Sequence, residues 1–295
     1  MRSRFALPAA AAVLLAAGPS FALMVAFSPP AQRAVTAQVV VRGTVTAVEK
    51  DTVEASPGRG APQKVPFKLA VVKVDEALAG ADGLTHVKVG FVSLPPPPVP
   101  QPGQPVRPLL PRRGGGPELK VGDEYVLFLT RHHEGNFYVM PFTSPPLDPK
   151  QEPGKTELAE VKKSLAVITD PTKALTAAKV EDRAFAASVL VSKYRAFPEG
   201  GGEQAEVPLP AEESRLILKG LAEGDWKQGN RFNALSPFTA FNQLGLRPQD
   251  GWMQPQVRPQ PGQPVDYAAV TKAAFVRWLD GPGKDYRVKR LVPKK

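Results

Sequence analysis

The stretch SPPLDPKQEPG, residues 144–154, divides the chain into two parts in which apolar residues recur at different intervals. Before it, apolar and polar residues alternate, as they do in β-strands that bury one face. After it, apolar residues recur every three or four positions, which is the period of one face of an α-helix. Prolines and charges at this density are typical of a connection between domains. The sequence therefore predicts an α+β protein in which strands precede helices, with a linker at residues 146–154.

Five strand-like segments lie before this stretch. In the first, Val41 and Val45 fall on one face, while Arg42 and Thr44 fall on the other. The last two are joined by HHEG, residues 132–135, which is short enough for a hairpin turn. Five such strands on a mostly antiparallel plan predict a small closed barrel. The segments are QVVVRGTVTAVE (38–49), VPFKLAVVKVDEAL (65–78), LTHVKVGFV (84–92), YVLFLTR (125–131) and NFYVMPF (136–142).

Three stretches in this part of the chain carry a family resemblance. VVVRGTVTAVE, FKLAVVKVDEALAG and LKVGDEYVLFLTR resemble the OB-type barrel of netrin-like and metalloproteinase-inhibitor-like domains, and similar stretches occur in exported bacterial proteins. The resemblance covers roughly residues 38–142 and implies a five-stranded OB-like β-barrel over residues 38–145. It does not extend to protease inhibition, because the animal inhibitors reach the protease zinc through an N-terminal cysteine and this chain has no cysteine.

A proline-rich insertion at residues 95–117 separates the third strand from the fourth. Proline cannot donate a backbone hydrogen bond and favours polyproline II, so the insertion is expected to leave the barrel as a loop. Its P-x-x-P spacing also fits a ligand of aromatic-lined grooves. The heptapeptide PQPGQPV occurs at residues 100–106 and again at 259–265. The flanks of the two copies share no similarity, which indicates two spacers and not a duplicated domain.

The second part of the chain predicts a small helical domain over residues 155–283, followed by a solvated basic tail at 284–295. Asp266 is a plausible N-cap of the last helix, and Gly281 with Pro282 marks its end. The predicted helices are KTELAEVKKSLAVI (155–168), VEDRAFAASVLVSKYRAF (180–197), PAEESRLILKGLAEGD (210–225), SPFTAFNQLGL (236–246) and DYAAVTKAAFVRWLDGPG (266–283).

The first 37 residues have the pattern of a signal peptide and leader. Arg2 and Arg4 precede the apolar run of residues 5–17, and small residues then provide two possible cleavage positions. The earlier position follows Ala22 and the later one follows Ala37. We therefore expect a protein exported to the periplasm or the cell exterior. The alternative is an uncleaved membrane anchor, and only in that case is membrane contact expected.

The formal charge of +10 does not predict nucleic-acid binding, because the excess lies at the chain ends. Residues 38–148 contain 12 basic and 11 acidic side chains, and residues 149–283 contain 17 and 16. Phosphate binding requires a basic stripe on one folded face, and neither part has the composition for it.

The sequence assigns no catalytic, cofactor-binding or metal-binding residue. The GKT at residues 154–156 lacks the glycine of a phosphate-binding loop, since Pro149 stands at that position. His132 and His133 are expected in a solvated turn, and His86 is the one other histidine of the chain. Adjacent histidines point apart, so a zinc site would need other ligands to converge on them.

These observations favour an exported, non-catalytic binding or structural protein whose partner is an unknown protein or envelope component. No cofactor is expected. One alternative is a hydrolase-type enzyme without a recognisable motif, which would require a deep pocket with convergent polar groups. The other is nucleic-acid binding through the barrel, which would require exposed aromatic rings and basic groups on one strand face.

Overall fold

The structure, a computed structural model, describes residues 28–92, 118–141, 143–197, 202–226, 235–256 and 265–294. The signal-like segment up to residue 27, the whole proline-rich insertion and nearly all of both PQPGQPV copies lie outside these ranges. The described residues form both helices and strands, so the predicted α+β class is confirmed. Within the described ranges, no helix is both long enough and apolar enough to cross a membrane.

Five strands form one sheet that closes on itself, here named the closed sheet. Its order is β1-β2-β3-β5-β4, and β4 pairs again with β1. All pairs are antiparallel except β3 with β5. A built Cβ at Gly43 would lie 2.4 Å from the carbonyl oxygen of Lys73, so glycine is needed where β1 and β2 approach. The strands are β1 (Val39–Ala55), β2 (Val65–Ala79), β3 (His86–Val92), β4 (Glu124–Arg131) and β5 (Tyr138–Val139).

The strand β4 is buried on both of its faces. Leu127 and Leu129 point into the closed sheet, where they pack with Val41 and Val45 of β1. The alternate residues of β4, Val126 and Phe128, belong to a second apolar cluster on the outer side. A strand with both faces covered reads as a continuous apolar run, which explains the VLFL of this segment.

Two helices cover the outer faces of β1 and β4. Helix α1 (Pro30–Thr36) contributes Ala34 to this contact, and helix α2 (Gly154–Thr169) contributes Val161 and Leu165. Residues 30–36 lie within the range that the sequence analysis assigns to the leader. In the structure they form a buried helix, because their small apolar side chains fit between the closed sheet and the other helices.

The predicted linker at residues 146–154 is partly buried. Leu147 is buried and forms an isolated β-bridge with Val126, and Gly154 already begins α2. Because α2 packs on β4, the change of hydrophobic period does not coincide with the end of the unit built around the closed sheet. The structure therefore differs here from the division predicted by the sequence.

The remaining helices belong to the part of the chain here named the helical region (residues 171–294), and their apolar core also includes Val35 of α1 and Val167 of α2. All five helices predicted from the period are present, and α3 is an additional short helix. Asp266 accepts a hydrogen bond from Ala269 N as the predicted N-cap of α7. A cluster of rings from Trp226, Phe241 and Phe275 lies in this core. The helices are α3 (Pro171–Leu175), α4 (Val180–Tyr194), α5 (Ala211–Glu223), α6 (Pro237–Leu244) and α7 (Tyr267–Leu279).

The predicted basic tail at residues 284–295 is wrong as a solvated terminus. Strand β7 (Lys289–Pro293) pairs with β6 (Gln204–Pro208) in a two-stranded antiparallel sheet. Val288 is fully buried, and Lys289 Nζ lies 3.2 Å from Asp250 Oδ1. The segment is ordered because an apolar anchor and an ion pair within it join the helical region.

Candidate functional site

An open cleft of about 850 Å³ lies at one end of the closed sheet. One wall is the β1–β2 loop (residues 56–64), and the other is the β4–β5 loop (residues 132–137). The lining side chains are mostly polar or charged. They include Gln38, Arg59, Thr130, Arg131, His132, His133, Glu134 and Asn136.

His132 connects the two walls of the cleft. Its ring is buried, with 6% of the residue exposed, and its Nε2 lies 2.9 Å from the carbonyl oxygen of Ser56. Its Nδ1 accepts hydrogen bonds of 3.1 Å from the backbone N–H groups of Glu134 and Gly135. Since Nδ1 acts as an acceptor, the proton of the neutral ring must be on Nε2, which donates to Ser56. The prediction that this residue lies in a solvated turn is therefore wrong.

A second hydrogen bond joins the same two loops in the opposite direction. Ser56 N donates to Glu134 Oε2 at 3.1 Å, and Ser56 Oγ donates to Gly58 O at 2.7 Å within its own loop. The hydrogen bond from Ser56 N lowers the pKa of the Glu134 carboxyl group, and the nearby charges of Lys64 and His133 act in the same direction. The walls of the cleft are thus held to each other before any ligand is present.

The ring of His132 packs against two buried aromatic rings. Its ring stacks on Phe137 with centroids 4.5 Å apart and meets Phe67 edge-on at 5.4 Å. Glycine is required on both sides of the Phe137 ring, because a built Cβ at Gly90 or Gly135 would come within 2.5 Å or 2.2 Å of it. The β4–β5 loop therefore rests on an apolar base, which fixes the position of the polar groups above it.

The groups left available to a ligand are chiefly hydrogen-bond donors. Arg59 and Arg131 are exposed, and neither forms an ion pair with any residue that the structure describes. His133 lies beside His132 with ring centroids 4.5 Å apart, and its Nε2 is 3.8 Å from Glu134 Oε1. Gln38 Oε1 accepts a hydrogen bond from Arg131 N at 2.6 Å, which leaves its amide group as a donor. The cleft can therefore bind acceptor groups.

Three common catalytic arrangements are not found among the described residues that line the cleft. Both ring nitrogens of His132 are used by the backbone, so this ring cannot act as a base or bind a metal. The Ser56 hydroxyl donates to a carbonyl oxygen and not to a histidine. In the described part of the chain, no three His, Asp or Glu side chains are grouped so that they could hold a metal ion.

The other sequence-derived candidates lie away from the cleft. His86 is exposed on β3, with Nδ1 3.2 Å from Thr85 Oγ1. The GKT sequence forms the start of α2, as its interpretation as a run into a helix predicts, and Thr156 Oγ1 donates to Glu152 at 2.9 Å. No local pattern of the sequence pointed to Arg59 or Arg131. They differ from other surface arginines in that both line the cleft.

Comparison with known proteins adds no family to these observations. A scan against family models finds no match to the chain, and a search of curated proteins finds no significantly similar sequence. The candidate site is therefore defined by its geometry and chemistry.

Proposed function

We propose that the protein is an exported, non-catalytic binding protein whose ligand occupies the cleft between the β1–β2 and β4–β5 loops of an OB-type barrel. Export is proposed from the signal-like pattern of the first residues. The ring of five paired strands supports the OB-type assignment, and OB-type barrels bind ligands through these two loops and the face of strands 2 and 3.

The observation that carries this proposal is the pair of hydrogen bonds between the loops. His132 donates to Ser56 O while Ser56 N donates to Glu134, so both walls are ordered relative to each other. A site that is ordered in advance loses less conformational entropy when its ligand binds.

The two alternative functions have less support. The hydrolase alternative needs a nucleophile bonded to a base, and the cleft offers none among its described side chains. The nucleic-acid alternative needs exposed rings on the strands, whereas Phe67 of β2 and Phe91 of β3 are buried.

Histidine resonances provide the test, because the chain contains three histidines. Two lie in the cleft, and His86 on β3 serves as an internal control. Protein labelled with ¹³C and ¹⁵N in histidine is titrated with a panel of sugars, peptides and small anions. We expect a true ligand to shift the imidazole signals of His133 and His132 and to leave those of His86 unchanged.

A blocking variant makes this test decisive. Asn136→Trp places a bulky ring in the cleft, and Asp82→Trp places the same ring in the exposed β2–β3 turn as a matched control. We expect N136W to weaken binding at least tenfold and D82W to leave it unchanged. A ligand that binds N136W as tightly as the original protein would show that the cleft is not the site.

A further inference from the structure

We propose that the ligand of the cleft is an anion with at least two oxyanion groups, which Arg59 of the β1–β2 loop and Arg131 at the end of β4 bind. This inference rests on the proposed function and adds the chemical class of the ligand. Carboxylates, phosphates and sulfates can each present two acceptor oxygens to the planar fork of a guanidinium group.

Both arginines line the cleft, and neither has a carboxylate partner among the described residues. Elsewhere in the structure, Arg42, Arg183 and Arg195 each hold a carboxylate. Arg59 lies in the β1–β2 loop and Arg131 ends strand β4, and neither has such a partner among the described residues. A cation without a counterion in a preformed cleft leaves its attraction to be satisfied by a ligand.

The carboxylate of Glu134 does not neutralise them. Its Oε2 accepts the hydrogen bond from Ser56 N, and its other oxygen is 3.8 Å from His133 Nε2. It is the single acidic group among the described lining residues, so two guanidinium groups face one carboxylate that is already engaged. The described lining of the cleft therefore carries a net positive charge, even though residues 38–148 as a whole are nearly balanced in charge.

The volume of the cleft indicates the size of the ligand, and its remaining polar groups indicate which other ligand atoms it can bind. Asn136, His133 and the free amide of Gln38 can donate hydrogen bonds to hydroxyl or carbonyl oxygens beside the charged groups. A cleft of about 850 Å³ is far larger than one phosphate or sulfate ion and suits a molecule of several rings or linked groups. These features fit an acidic oligosaccharide or a condensed phosphate better than a single inorganic ion.

The experiment uses three probes with the full chain as it is produced. Trigalacturonate supplies carboxylates on a sugar chain, inorganic pyrophosphate supplies phosphate oxygens, and maltotriose supplies a neutral chain of comparable size. Binding is followed by the imidazole signals of His133, with His86 as the reference. We expect one of the anions to bind at least tenfold more tightly than maltotriose, and the stronger of the two identifies the source of the oxyanion groups.

Substitutions of the two arginines test whether they are responsible for anion binding. Arg59→Gln and Arg131→Gln should each weaken anion binding by about tenfold, as expected for the loss of a charge-assisted hydrogen bond. Arg277→Gln, on the exposed surface of α7, is the matched control and should change nothing. An increase of salt from 50 to 200 mM should weaken binding by the original protein more than by either cleft variant.

Two results would overturn the inference. If maltotriose shifts His133 and binds as tightly as the anions, the ligand is neutral, while the cleft remains the binding site. If neither anion shifts His133 in the original protein, the anionic class is wrong whatever else binds. Failure of the proposed function is recognised separately, because a ligand would then bind the N136W variant without loss.

Discussion

The closed sheet has two contrasting regions. The outer side of β1 and β4 is covered by helices, whereas the loop end carries an open polar cleft. On the outer side, Val126 and Phe128 are covered by α1 and α2, and the contacts are almost wholly apolar. At the loop end, a buried histidine holds two loops in place and leaves two arginines exposed without partners. If the cleft binds a ligand as proposed, the covered side of the sheet serves stability and the loop end serves recognition. Changes on the first side should therefore affect folding, and changes on the second should affect binding.

The largest effect on folding is expected when the helices that cover β1 and β4 are removed. A fragment of residues 38–150 lacks α1 and α2, so Val40, Val126 and Phe128 would face solvent. We expect it to aggregate, whereas a fragment of residues 28–170 should be soluble and melt cooperatively. The measurements are solubility and thermal unfolding by circular dichroism. Cooperative melting of the shorter fragment would show that the linker at 146–154 separates independent domains after all.

The next largest effect concerns the mature N-terminus. Cleavage after Ala37 would remove α1, in which Ala34 and Val35 are buried, whereas cleavage after Ala22 would keep it. We expect mass spectrometry of the natively produced protein to find Leu23 as the first residue. A chain that begins at Gln38 should lose about 3 kcal/mol of unfolding free energy relative to one that begins at Leu23. A native N-terminus at Gln38 would contradict the structural role given to α1.

A smaller effect should separate the two neighbouring histidines. His132→Gln removes the stacked ring and leaves backbone groups of the loops without a well-placed partner, so we expect a loss of about 2 kcal/mol of unfolding free energy. His133→Gln, its matched control, should change stability by less than about 0.5 kcal/mol. Chemical denaturation measures both. Long-range ¹H–¹⁵N spectra should also show the proton of His132 on Nε2, and a proton on Nδ1 would contradict the described hydrogen bonds.

The smallest effect is the pH dependence of the Ser56–Glu134 contact. The folded pKa of Glu134 lies below its ordinary value, chiefly because Ser56 N donates to it. The contact therefore stabilises the loops fully above the unfolded carboxyl pKa of about 4.3 and is lost as the pH falls through the folded value. An NMR titration of the Glu134 carboxyl group should show the lowered pKa at both 0.05 and 0.5 M salt. Its disappearance at high salt would mean that charges, and not the hydrogen bond, are the main cause.

The sequence predicted regular elements well where one residue period continues for several turns or strands. The five helices and the strands of the closed sheet follow from the spacing of apolar residues. Helix α1 was missed because Ala31, Ala34 and Val35 look like the end of a leader, and their burial depends on contacts with distant residues. Strand β7 was missed because its basic residues suggested solvent, while its pairing partner β6 lies about 80 residues earlier.

The candidate site could not be predicted for a similar reason. His132 looked like a turn residue because its neighbours in sequence are polar. Its partner Ser56 is 76 positions away, so no local pattern reveals the hydrogen bond that buries it. Arg59 and Arg131 became candidates only when the fold placed both on one cleft without acidic partners. No sequence pattern indicates that these two arginines line the same cleft.

The pairing of β6 with β7 also has a consequence for the order in which the chain folds during synthesis. The unit of the closed sheet with α1 and α2 has all its parts once residue 169 has emerged. The helical region cannot bury Val288 or pair β6 until the segment near residue 290 is available, and closing so long a loop carries an entropic cost. The core around Trp226 and Phe275 must therefore wait in an incomplete state. During that interval it is the helical region, and not the unit of the closed sheet, that is exposed to misfolding and to chaperones.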